Sequence, residues 1–165
     1  MSIIDIGSGA IDRAAYWSEN ETIIDRNNPA NASGSINTWE FWFYANASGV
    51  KVGTFYGSGV AWTNRDYETI GNVASGSKQI FSGLDTTVET DDLSGIYFIS
   101  GRIERDYSGG VGLFHKTGDQ FGAGEQTYDV TASGNIISNY GTGTEAIKTP
   151  VTKTIIALAG FGFGY

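Results

Sequence analysis

The sequence predicts an all-β fold: a single antiparallel β-sandwich, read as a jelly roll with a closed barrel as the alternative, ending in a C-terminal strand or arm. Three observations predict it. Apolar residues recur with a period close to two along most of the 165 residues, the spacing that sends alternate side chains to opposite faces of a strand. The chain holds 24 Gly, 9 Tyr, 9 Phe and 4 Trp but only 10 Lys and Arg, the usage of strands joined by tight turns. Turn signals separate nearly all of the short apolar runs, and many short strands so spaced indicate a sandwich. The length suits one domain able to bury roughly two-thirds of the surface of its unfolded chain. It divides into an N-terminal segment over 1–20, the sandwich over 21–143, and a C-terminal strand or assembly arm over 144–165.

Taken in order, residues 10–17 form the only candidate helix, a short one. In 36–45 the odd positions Asn37, Trp39, Phe41, Phe43 and Ala45 share the face assigned to the core. Trp42 and Tyr44 fall on the opposite face, which in a sandwich must be covered or used. Further strands are predicted over 50–56, 60–69, 78–81, 95–99, 103–107, 111–115, 127–131 and 136–140. The tripeptide Ala-Ser-Gly begins at Ala32, Ala47, Ala74 and Ala132. Its irregular spacing excludes a structural repeat, and its glycine is expected to supply a positive φ where the chain turns into a strand.

Across 100–110, Arg102, Glu104 and Asp106 share one face and Ile103, Arg105 and Tyr107 the other. The charged face is expected to be wet, its opposite charges pairing along an outer strand. Over 151–165 the odd positions end in Ile155, Ala157, Ala159, Phe161, Phe163 and Tyr165, while the even ones run from Ile156 and Leu158 into glycines. This reads as a strand that either completes the chain's own sheet or pairs with a neighbouring subunit. The assembly residues on the second reading are Ile155, Ile156, Leu158, Phe161, Phe163 and Tyr165. The stretch is shorter than the roughly 20 apolar residues of a spanning helix, so membrane insertion is not expected.

A formal charge of −8 and a pI near 4.4 argue against a nucleic-acid partner, since such a surface repels phosphate. With no cysteine, disulfides, thiolate nucleophiles and cysteine-ligated metals are excluded together. The start, Met1-Ser-Ile-Ile-Asp-Ile, shows neither the basic nor the apolar region of a signal peptide. The three sequons at Asn20, Asn31 and Asn46 accordingly read as turn residues rather than glycan carriers.

His115 is the sole histidine, so a zinc site with two imidazoles is excluded. No Gly-x-Ser-x-Gly elbow accompanies it, and it alternates with Val111 and Leu113 on a strand. No catalytic residue, enzyme activity or cofactor is therefore assigned. Asp85, Glu89, Asp91 and Asp92 cluster at a turn that could offer calcium its oxygen ligands. The Asp-x-Asp-x-Asp-Gly pattern is missing, and a solvated turn is the simpler reading, so no metal ligand is assigned. In Trp62-Thr-Asn-Arg-Asp-Tyr, stacking and hydrogen-bonding groups sit together as a ligand would require. Trp62, Arg65, Asp66 and Tyr67 are the candidate ligand-binding residues.

Several segments carry a resemblance. They are Ile4-Asp-Ile-Gly with Ala10-Ile-Asp-Arg-Ala, Asn28-Pro-Ala-Asn-Ala-Ser-Gly-Ser-Ile, Val52-Gly-Thr-Phe-Tyr, and Ile70-Gly-Asn-Val-Ala-Ser-Gly-Ser-Lys-Gln. Gly95-Ile-Tyr-Phe, Gly101-Arg-Ile-Glu-Arg-Asp and Tyr140-Gly-Thr-Gly complete the set. Over about 4–143 the chain resembles an uncharacterised β-rich module that recurs in tailed-phage, prophage and environmental viral sequences. It departs from that module before Gly95, where Asp91-Asp92-Leu93-Ser94 replaces the usual Gly-Asp-Tyr-Ile. The resemblance implies a non-enzymatic virion structural protein, a decoration or assembly subunit of a capsid or tail made in the host cytoplasm. Its implied partners are copies of itself and other virion proteins. The alternative reading is a carbohydrate-binding module whose Trp62, Arg65, Asp66 and Tyr67 contact a host-surface glycan, and a hydrolase ranks third.

Overall fold

The computed structural model describes residues 3–131 and 133–147. The predicted assembly residues Ile155, Ile156, Leu158, Phe161, Phe163 and Tyr165 lie outside the described residues. The strands are β1 (Ile3–Ser8), β2 (Ala15–Ser18), β3 (Glu21–Asp25), β4 (Gly34–Ser58), β5 (Ala61–Val73), β6 (Lys78–Val88) and β7 (Leu93–Tyr97). They continue as β8 (Ser100–Gly110), β9 (Leu113–Thr117), β10 (Gln126–Thr127), β11 (Asp129–Val130), β12 (Gly134–Ile137) and β13 (Asn139–Glu145). The fold is all-β, as the sequence predicts, and every pairing between these strands is antiparallel.

No described residue is helical, which corrects the helix expected over 10–17. Eight residues are too few to hold a helix without tertiary support, and here the tertiary contacts favour extension. Ala15–Ser18 pairs with β8 in the register Tyr16 to Glu104 and Trp17 to Ile103.

Strand β4 organises the molecule. Its first part pairs with β13 and β6, residues 43–48 border β8, and its last part pairs with β5 and β7. The two ends of one 25-residue strand thus enter two packed layers, giving a sandwich-like arrangement. Residues 36–45 and 50–56, expected as separate strands, are continuous. The Ala47-Ser-Gly49 signal makes a bulge, with φ of 61° at Gly49 and register shifts on either side, instead of a turn. Of the four Ala-Ser-Gly glycines, Gly49, Gly76 and Gly134 adopt positive φ. Gly34 is there for space: a Cβ would stand 2.1 Å from the Thr144 carbonyl oxygen.

The main core lies between the layers. Ile4, Ile6, Ile36, Trp39, Phe41 and Phe43 face Ile23, Val52, Ile96, Phe98 and Leu113, all fully buried. Strands β3 and β7 are buried on both faces, as a second cluster covers their outer side with Ile24, Phe55, Trp62, Leu93, Tyr97, Phe114, Phe121 and Tyr128. Neighbouring Ile23 and Ile24 enter different clusters because successive strand side chains point oppositely.

The charged face of β8 is not uniformly wet. Glu104 is only 2% exposed, because the segment carrying Arg13 crosses over it. The Arg13 backbone N–H donates to Glu104 Oε2 at 3.1 Å, and its guanidinium donates to Asp106 at 3.0 Å and to Ser138 Oγ at 2.8 Å. Burial pushes the Glu104 carboxyl above the usual range. The expected pairing along the strand is replaced by pairing with Arg13, and β8 is no edge, having β2 on one side and β4 followed by β12 on the other.

Candidate functional site

The segment from Trp62 to Tyr67 lies on β5, where a register shift against β4 leaves Arg65 without a partner between Asn64 and Asp66, and the pleat together with this bulge sends the four candidates to different places. Trp62 is 9% exposed, its ring 5.3 Å from Phe114 in the second core and its indole N–H donating to the Gly59 carbonyl at 3.1 Å. Arg65 donates from Nε to Asp92 Oδ2 at 2.5 Å and from Nη2 to Asp92 Oδ1 at 3.0 Å. It also lies 3.2 Å from Glu89, and its guanidinium covers the Tyr56 ring at 4.6 Å. Asp66 accepts from the backbone N–H groups of Tyr67 and Thr87. Tyr67 rests on Phe121 with Lys51 Nζ 5.3 Å from its ring centre. These residues do not converge on one surface: Trp62 belongs to the second core, Tyr67 lies exposed against its Phe121, and Arg65 and Asp66 fasten the neighbouring strand and turn.

The same contacts explain the acidic turn. Asp92 is 2% exposed, with its carboxylate clamped by Arg65 and by the Glu89 backbone N–H at 2.9 Å. Burial still pushes its pKa up, with Arg65 opposing the rise. Asp91 takes a φ of 70°, and Asp85 accepts a hydrogen bond from Ser35 Oγ at 2.5 Å. Among the described residues no three acidic or imidazole groups gather where a metal ion would sit. His115 Nδ1 is 3.4 Å from Glu21 Oε2, and its ring packs against the edge of Trp17 at 5.0 Å. The sequon residues do local work: Asn20 turns at a φ of 64°, Asn31 bonds the backbone of Asp5 and Ile3, and Asn46 accepts from Ser75.

The strongest surface feature lies elsewhere. Tyr44, on the outer face of β4, stacks on Tyr16 of β2 with ring centres 5.0 Å apart, and Arg102 of β8 lies 4.4 Å from the Tyr16 ring. Tyr44 and Tyr16 are 56% and 38% exposed. Nearby, Arg105 is 4.3 Å from both the Trp17 and Tyr107 rings, and burial lowers its pKa from the usual guanidinium value. The alternation of β4 marks Tyr44 as outward-facing. Tyr16 and Arg102 were missed because the stack needs the β2–β8 pairing, which an apparent helix over 10–17 conceals. No family model, curated protein or solved structure matches the chain.

Proposed function

We propose that this chain is a non-enzymatic virion structural protein, a decoration or assembly subunit of a capsid or tail that acts by associating with copies of itself and with other virion proteins. The observation that carries the reading is the Tyr16–Tyr44–Arg102 stack, held open on the outer face. Tyrosine and arginine on a rigid sheet provide contact area at low entropic cost and are enriched in protein interfaces. The resemblance over 4–143 supplies the virion setting. Asp85, Glu89, Asp92 and His115, considered in the sequence for chemistry, are engaged in structural contacts, which supports a role without catalysis. The segment beyond Ile147 serves, on this reading, as the arm that joins subunits.

The test is the solution mass of the full chain by light scattering, run beside a glycan array probed with the same preparation. A defined homo-oligomer without a glycan signal is the expected result. A monomer that binds a glycan, with the signal lost in Tyr16→Ser/Tyr44→Ser, would overturn it in favour of a carbohydrate-binding module.

A further inference from the structure

Four polar side chains from four strands meet between the two layers. Ser8 of β1 and Asn139 of β13 are register partners in one layer, and Asp25 of β3 and Ser94 of β7 are partners in the other. Gly7 lies where the layers approach: a Cβ there would stand 2.3 Å from the Asn139 carbonyl oxygen and 2.5 Å from Ser94 Oγ. Asp25, Ser94 and Asn139 are fully buried and Ser8 nearly so. Yet Ser8 Oγ, Asp25 Oδ2, Ser94 Oγ and both side-chain atoms of Asn139 make no hydrogen bond of good geometry, even though the Ser8 hydroxyl stands close enough to the Asp25 carboxyl to lower its pKa as a donor would. Buried polar atoms are rarely left unpaired, and five in one place call for an occupant.

The carboxylate is positioned to serve one. Asp25 Oδ1 accepts from the Asn27 backbone N–H at 3.0 Å and from Asn27 Nδ2 at 2.5 Å, leaving Oδ2 free. Arg13, the only cation among the described residues that acts on Asp25, is its weakest influence and already spends its guanidinium on Asp106, Ser138 and Gly9. Burial pushes the Asp25 carboxyl up, opposed by the nearby Ser8 hydroxyl and by the side-chain and backbone N–H groups of Asn27 as hydrogen-bond donors. Buried carboxylates are otherwise found paired or on a metal.

We propose that this cluster binds one monovalent hard cation of the sodium class, through Asp25 Oδ2, Ser8 Oγ, Ser94 Oγ and Asn139 Oδ1. The donors are all oxygen, which selects hard cations. A single carboxylate balances a single charge, whereas a divalent ion would leave excess positive charge between the layers and within reach of Arg13. A surface depression lined by Gly7, Ser8, Asn27, Asn28 and Gly110 reaches the cluster at Ser8. The ion ties β1, which pairs only with β13, to the opposite layer.

The full chain, dialysed into choline chloride and titrated with sodium chloride at constant ionic strength, should show a saturable rise in melting temperature on the order of 5 °C. Asp25→Asn should abolish the response, and Ser94→Ala should raise the half-saturating sodium concentration at least about tenfold. Equal melting in the two salts, or an undiminished response in Asp25→Asn, would overturn the site. If Asp25→Asn does not fold, Ser94→Ala decides, and an unchanged half-saturation refutes the proposal.

Discussion

Replacing Arg65 with Met removes the clamp on the acidic turn while keeping an apolar stem beside Tyr56. Asp92 then keeps one hydrogen bond, from the Glu89 backbone, at a site 2% exposed. Removing one partner of a buried ion pair costs about 3–5 kcal/mol, since the remaining charge stays desolvated. The Arg65 side chain is 20% exposed, so water relieves part of the loss and the lower end, about 3 kcal/mol, applies. For a chain of this size that lowers the melting temperature by about 6–12 °C. Urea denaturation of the wild type, Arg65→Met, Asp92→Asn and the double variant measures it. Because Asp92→Asn leaves no charge to strand, the double variant should lose less than the sum of the two single losses, by about 1–3 kcal/mol. A loss below about 1 kcal/mol in Arg65→Met, or strict additivity, would refute the clamp and reopen Arg65 as a ligand-binding residue.

Trp62→Ala should cost about 3–5 kcal/mol by urea denaturation, since its ring fills the second core against Phe114; a loss under about 1 kcal/mol would contradict that placement. Tyr16→Ser/Tyr44→Ser should change stability by less than about 1 kcal/mol, as both rings are open to water, and a larger loss would show that the face supports the fold. Glu104 carries one share of the pH dependence, beside Asp25 and Asp92, whose carboxyls burial also raises. Its carboxyl is raised above the ordinary 4.5 in the folded state, so the folded form holds the proton longer than the unfolded form does. Its favourable contribution is therefore complete below pH 4.5 and is lost as pH rises through the folded value. Urea melts from pH 4 to 7 should show Glu104→Gln gaining on the wild type as pH rises, and a gap independent of pH would refute this.

The all-β class was legible because alternation survives wherever one face is buried. Trp39, Phe41 and Phe43 enter the core as their odd spacing requires, and Tyr44 faces out. Continuity was harder to read. A glycine that closes a turn and a glycine that permits a bulge look alike in sequence, so Gly49 suggested a break in a strand that runs on. The helix expected over 10–17 failed because its periodicity is local, while β2 is held extended by β8, far along the chain. The Trp62–Tyr67 segment misled for a related reason. A bulge at Arg65 breaks the simple alternation of the segment, so stacking and charged groups adjacent in sequence are sent to different places, and only the fold reveals that Arg65 belongs to Asp92. The buried polar cluster gave no local signal, since each of Ser8, Asp25, Ser94 and Asn139 comes from a different strand.

The proposed self-association, with the segment beyond Ile147 as the arm that joins subunits, has a direct test. A shortened chain ending at Ile147 keeps Thr144 and Glu145, which pair with Ser35 and Gly34 of β4, and so keeps β13 intact. Light scattering on the full and shortened chains should give a defined multiple of 17.6 kDa for the first and a monomer with an unchanged melting temperature for the second. Identical masses for the two chains would contradict the arm, and a monomeric full chain would contradict self-assembly itself.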